Sequence, residues 1–211
     1  LAVTFTNKAA EEMRERVAHL IGDEARDVWV STFHALCARL LRREAPAIGL
    51  SRDFVIYDSS DQQSAVKQVM RDLSVDDKIM QPRQVLGRIS HAKNRMETPD
   101  AVGDGGYRDE QFAKIYEGYV DALARANALD FDDLLLKTVE LFENATVRAK
   151  YQRQFRYVMV DEYQDTNRPQ YLLIKHLVGD RHNLAVVGDP DQSIYKWRGA
   201  DLRNILDFEH D

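Results

Sequence analysis

The sequence predicts an α/β fold in which a parallel sheet is interrupted by a mainly α-helical section. Short apolar runs at residues 1–6, 28–30, 157–160 and 184–187 have the length and continuity of parallel-sheet strands. Between about residues 54 and 142 the apolar spacing changes to that of amphipathic helices. After that stretch the α/β alternation returns, with a helix over 170–177 separating two apolar runs, as in a parallel crossover.

The first run, Leu1-Ala-Val-Thr-Phe-Thr6, begins without a polar lead-in, and the chain reads as a piece of something longer. Thr6 and Asn7 are N-cap residues for a helix with Ala10, Met13, Val17 and Leu20 on one side, stopped by Gly22. Val28-Trp-Val30 is a second strand, leading through Ser31 and Thr32 into a helix that carries Phe33, Leu36, Leu40 and Leu41. Helices are expected over 62–73, 82–93, 110–126 and 131–142, with one brief strand at 54–57 and a loop at 98–107. The expected division is therefore 1–33 with 150–211 as the sheet-bearing core, and 34–149 as the insertion.

Composition narrows the function classes. The 211 residues are 44% hydrophobic and 30% charged, the profile of a globular protein. No apolar run approaches the roughly 18 residues of a membrane span, and no signal-peptide pattern opens the chain; a cytoplasmic location without a membrane partner is expected. Cys37 is the only cysteine, which excludes an internal disulfide and a cysteine-rich metal site. A net charge of −6 argues against whole-surface attraction to nucleic acid, so any strand contact must be local. One local basic stretch exists, residues 81–96, with Arg83, Arg88, Lys93, Arg95 and His91 and no acid.

In an open parallel sheet the ligand site lies beyond the carboxyl ends of the strands. Asp161 and Glu162 follow one apolar run there, and Gly188-Asp-Pro-Asp-Gln192 follows another. An Asp at such a strand end suits Mg²⁺, a hard cation that takes one or two carboxylates and completes its shell with water and phosphate oxygens. An adjacent Glu can orient or deprotonate an attacking water. The plain alternative is that both acids cap the following turn and helix.

The longer string Val160-Asp-Glu-Tyr-Gln-Asp-Thr-Asn167 resembles the Walker B motif of the UvrD/PcrA/Rep group of superfamily 1 helicases. Gly188-Asp-Pro-Asp-Gln-Ser-Ile-Tyr-Lys-Trp-Arg-Gly-Ala-Asp201 resembles the third motif of that family, Thr4-Phe-Thr-Asn-Lys-Ala-Ala10 and Ser31-Thr-Phe-His34 its strand-contacting motifs, and Leu129-Asp-Phe-Asp-Asp-Leu134 a further one. These strings stand in family order and span essentially the whole chain. The resemblance implies a partial RecA-like P-loop core in a motor that uses ATP and Mg²⁺. Asp161 would hold the metal, Glu162 the attacking water, and Gln192 the γ-phosphate. Phe5, Thr6, Asn7, Thr32, Phe33, His34, Tyr195, Trp197 and Arg198 would line the path of single-stranded DNA, with Trp197 stacking on a base. The implied activity is 3′ to 5′ translocation on single-stranded DNA with unwinding at duplex junctions, in repair or replication and with proteins of those processes, in the nucleoid. The basic stretch falls where the family contacts duplex DNA.

The family's Gly-rich loop ending in Gly-Lys-Ser/Thr is absent from these residues, so the 211 residues alone are expected to be inactive as an ATPase. Two other classes remain at this stage. One is a single-stranded-DNA-binding or regulatory module without ATPase activity. The other is a metal-dependent nuclease built on Asp161, Glu162, Asp189 and Asp191.

Overall fold

The computed structural model describes all residues except 77–79, 104, 194–199, 201–203 and 205–211. β1 (Ala2–Thr4) leads into α1 (Asn7–Ile21), whose N-cap is Thr6 and whose end is turned by Gly22 at φ 60°. β2 (Val30–Thr32) leads into α2 (Phe33–Glu44), with Thr32 as N-cap. The second strand thus begins at Val30 rather than Val28, because Val28 closes a 3₁₀ turn over Gly22–Asp27.

The middle of the chain contains β3 (Val55–Ile56), α3 (Ser59–Asp72), α4 (Pro82–Asn94), α5 (Tyr107–Arg125), β4 (Ala128–Leu129) and α6 (Phe131–Glu143). α7 (Ala145–Gln154) follows. β5 (Val158–Val160), α8 (Arg168–Val178) and β6 (Leu184–Val186) return to the α/β alternation. β3 and β4 form a small parallel pair of their own. No helix among the described residues is long and apolar enough to cross a membrane.

The main sheet has the order β2-β1-β5-β6 and every neighbouring pair is parallel. One of its faces is buried: Val3, Val158 and Val160 pack with Phe33, Leu36 and Leu40 of α2, Leu135 and Phe142 of α6, and Leu173 and Leu177 of α8. Among the described residues the other face is covered by α1, over β1 and β2 only. Met159 is therefore 45% exposed between two buried valines, and Tyr157 and Val187 are exposed as well. Continuous apolar character in these strands thus reports strand formation and not cover on both faces.

A second cluster joins Val66, Val69 and Met70 of α3, Val85 and Ile89 of α4, and Phe112, Ile115, Tyr116 and Tyr119 of α5. The apolar contacts of α2, α6 and α7 thus run with the sheet, crossing the divisions expected near residues 33 and 150, while α3, α4 and α5 form a body of their own.

Between the two clusters lies a buried charged group. Lys93, 1% exposed at the end of α4, places Nζ 2.7 Å from both Asp130 Oδ2 and Asp133 Oδ1, and the Tyr119 hydroxyl donates to Asp130 at 2.9 Å. Asp130 is also the N-cap of α6 and Asp133 the reciprocal member of its capping box. Burial would discharge the Lys93 ammonium, but the two carboxylates outweigh it and raise its pKa. Burial pushes Asp133 up to about 6, with the Asp130 charge adding to it against the pull of Lys93.

Replacing Lys93 by Met leaves these carboxylates buried without their cation and should cost about 3–5 kcal/mol, read as a fall in the urea midpoint of unfolding. Because the folded pKa of Asp133 is raised, its contribution to stability is complete below the unfolded value near 3.8 and is lost as pH rises through about 6. Asp133→Asn should therefore gain stability relative to wild type between pH about 4 and about 7, checked by urea unfolding at both ends of that range.

Candidate functional site

Parallel pairing brings the ends of all four strands to one edge. Thr4 is in register with Thr32, Val3 with Val160, and Val160 with Val186. The next residues on β5 continue the ladder, since Asp161 N–H donates to Val3 O at 2.9 Å and Tyr163 N–H donates to Val187 O at 2.9 Å. Between those two anchors the chain must turn within one residue, and Glu162 does so in the left-handed region at φ 52°, ψ 41°. For a residue with a Cβ that conformation costs roughly 1–2 kcal/mol. The surrounding anchors hold it there, and the Glu162 side chain projects from the edge as an exposed group while Tyr163, Gln164 and Asp165 are buried.

Gln164, fully buried, fixes this arrangement from beneath. Its amide Nε2 donates to Glu162 Oε2 at 2.7 Å, and its Oε1 accepts from the Asp189 backbone N–H at 3.1 Å. One amide thereby ties the loop after β5 to the loop after β6. Asp161, half-buried, accepts the Glu162 N–H on Oδ1 at 3.0 Å. Gln192 stands exposed at the end of a 3₁₀ turn over Pro190–Gln192 that Asp189 caps, and its Nε2 donates to Asp189 Oδ2 at 2.7 Å. Gln164 escaped the sequence reading because a buried amide and an exposed one look alike in a string; its place two residues after the acid pair was the available signal.

On the β1–β2 side the edge carries two helix N-termini. Phe5 is half-buried with its ring 5.4 Å from that of Phe33, while Thr6 and Asn7 are exposed and the Thr6 hydroxyl accepts from Ala9 N–H. Thr32 is buried and its hydroxyl accepts from Ala35 N–H. Phe33 is 1% exposed in the main core, with its ring against that of Phe5. His34 is half-buried against Phe131, with centroids 6.0 Å apart and edge to face. Phe131, which stands in the string Leu129-Asp-Phe-Asp-Asp-Leu134, is 46% exposed and was not among the expected strand contacts. Tyr195, Trp197 and Arg198 lie outside the described residues.

The basic stretch disperses once folded. Lys93 turns inward, Arg88 pairs with Asp109 at 2.5 Å over the Phe112 ring, and Arg95 pairs with Glu97 at 2.8 Å.

Asp161 offers one strand-end carboxylate, and no group of three or more His, Cys, Asp or Glu that could hold a metal ion stands among the described residues. The four carboxylates considered for a two-metal nuclease do not converge in this way, and Asp189 spends its oxygens on its own turn. Cys37 is buried and its thiol pushed up to about 12 by that burial, so it is no nucleophile.

A parallel sheet with this strand order, carrying acids and amides on its carboxyl edge, is a partial RecA-like α/β core. The model of the UvrD/REP helicase N-terminal domain matches residues 1–211, and the chain belongs to that family. It is 51% identical to the ATP-dependent DNA helicase PcrA of Staphylococcus epidermidis strain RP62A over 214 aligned residues, and 52% identical to the PcrA proteins of Staphylococcus aureus strains Mu50 and COL. Each alignment covers 100% of this chain and 29% of the relative, so the chain spans less than a third of the curated proteins it matches.

The strained turn makes a prediction of its own. Glu162→Gly and Glu162→Ala both remove the carboxylate, but only glycine adopts the left-handed turn freely. The Gly variant should be the more stable by about 1 kcal/mol in urea unfolding. Equal midpoints would mean that the backbone at Glu162 is not held in this conformation.

Proposed function

We propose that this chain supplies the hydrolytic and strand-contacting edge of an ATP-dependent helicase that moves 3′ to 5′ on single-stranded DNA and opens duplex at junctions, in repair or replication. The observation that carries the reading is the left-handed Glu162, projected from the sheet edge and held by buried Gln164 beside Asp161. Relatives named as ATP-dependent DNA helicases support the same class of activity. The division into a core of residues 1–33 and 150–211 and an insertion of 34–149 belongs to this proposal, with α2, α6 and α7 packing on the core side.

Asp161 offers a carboxylate oxygen to Mg²⁺, which when bound would neutralise charge on the nucleotide phosphates. Glu162 accepts a proton from, or orients, the water that attacks the γ-phosphorus, and its hydrogen bond from Gln164 limits the directions its carboxylate can take. Gln192, whose Nε2 now donates to Asp189, would donate an amide N–H to the γ-phosphate on leaving it. Because Gln164 bonds to both loops, a displacement of the Asp189–Gln192 turn would be felt at Glu162. No Gly-Lys-Ser/Thr loop, the kind that cradles nucleotide phosphates, occurs in these residues.

Single-stranded DNA is proposed to cross the β1–β2 side of the edge. Thr6 and Asn7 open α1 and His34 opens α2, so phosphates passing there meet helix N-terminal N–H groups, while Phe5 and Phe131 offer ring faces. Thr32 supports this floor as a cap, and Tyr195, Trp197 and Arg198 complete the proposed contact set.

Two measurements test the reading on the full-length protein. Asp161→Ala and Glu162→Gln should each lower DNA-stimulated ATP hydrolysis by a factor on the order of 100 or more while oligonucleotide binding persists. In a fluorescence titration with a short single strand, Trp197→Ala and Phe131→Ala should each weaken binding by about 1–3 kcal/mol. Full hydrolysis by Glu162→Gln would remove the assignment of the water-positioning carboxylate.

A further inference from the structure

The loop that carries Glu162 ends at Asn167, the N-cap of α8, and Asn167 is held from outside the sheet. Its Oδ1 accepts from Gln170 N–H at 3.0 Å, and its Nδ2 donates to Oδ1 of Asn94, the last residue of α4. Asn94 is 6% exposed, and both hydrogens of its amide are engaged. Its Nδ2 donates to Ser90 O at 2.7 Å and to Asp132 Oδ1 at 3.1 Å. The neighbouring Lys93 locks the same end of α4 to Asp130 and Asp133.

α4 belongs to the helical cluster with α3 and α5, whereas α8 packs with the sheet. The Asn94–Asn167 bond is therefore a polar link between two hydrophobic bodies, and it lands on the loop whose other end is the strained Glu162. Thr166, the residue before, is held by Asn204, whose Nδ2 donates to both Thr166 O and Thr166 Oγ1 at 3.0 Å. Buried amides with all their partners in place tolerate little displacement, because each broken bond leaves a desolvated polar atom. A shift of α4 against the sheet would have to move Asn167 or break this bond.

We propose that Asn94 is a positioning residue for ATP hydrolysis: acting through Asn167, it sets the loop that presents Glu162 and couples the helical body to the hydrolytic edge. This rests on the role given to Glu162 above. Asn94 is buried and bonded only within the protein, so its loss should act on turnover and not on binding.

The test uses the full-length protein with Asn94→Ala, Asn167→Ser and the double variant, and measures DNA-stimulated ATP hydrolysis together with oligonucleotide affinity and thermal unfolding. Serine at position 167 keeps the N-cap of α8 and removes only the donor to Asn94. Each single variant should lower kcat about tenfold, with KM for ATP and oligonucleotide affinity held within about twofold, and the double should fall no further. Wild-type kcat in the single variants, additive losses in the double, or a kcat loss that follows a lower unfolding midpoint would overturn the proposal. Glu162→Gln measured alongside separates the two readings. An active Glu162→Gln removes the premise, whereas an inactive Glu162→Gln with a fully active Asn94→Ala refutes the positioning role alone.

Discussion

Everything at the candidate site depends on the parallel pairing of β1 with β5, two segments more than 150 residues apart in sequence. Parallel strands point the same way, so their carboxyl ends must share an edge, and whatever follows each strand is collected there. With β2 paired outside β1 and β6 outside β5, four loops meet. Two start helices through threonine caps and two carry acids and amides. The separation of these roles along the edge follows from strand order: the helix N-termini lie on the β1–β2 side and the carboxylates on the β5–β6 side.

The intervening helices have to return the chain to β5 without disturbing that register, and they do so in two packing units. α2, α6, α7 and α8 cover one sheet face, while α3, α4 and α5 pack on one another. Such a split would allow sliding if the boundary were only apolar, since hydrophobic contacts have little directionality. Directional bonds cross it instead. Lys93 faces Asp130 and Asp133, which also cap α6, and Asn94 faces Asp132 and Asn167. A buried ion pair is weak evidence for net stability, but it is strong on geometry, because few other arrangements satisfy its members.

Much of the architecture was legible in the sequence because it rests on periodicity and on caps. The helices from Ser59, Pro82, Tyr107 and Phe131 announce themselves by apolar spacing and by Asp58, Pro82 and Asp130 at their starts. α7 was passed over because its exposed residues are Arg, Lys and Gln nearly all round and only Val147 and Tyr151 are buried; Asn144 as a cap was its one signal. The two-residue strand β4 pairs only with β3, and so short a segment has no period to read. At the site, Asp161 and Glu162 were legible as an acid pair after an apolar run. The burial of Phe33, the exposure of Phe131 and the inward turn of Lys93 were not, because each depends on partners distant in sequence. Charge runs and aromatic residues are ambiguous until the face they occupy is known.

The β5–β6 edge illustrates how local strain can be sustained by remote contacts. Glu162 takes a conformation that its own chemistry disfavours, and it does so because Asp161 and Tyr163 on either side are already committed to β1 and β6. A glycine would turn there at lower cost but would present no carboxylate. The compromise is stable only while the two anchoring strands, the buried Gln164 beneath and the Asn167 cap beyond remain in place. The position of the carboxylate is thus a property of the folded sheet and of the helical body bonded to it, and the acid pair in the sequence is where that property is expressed.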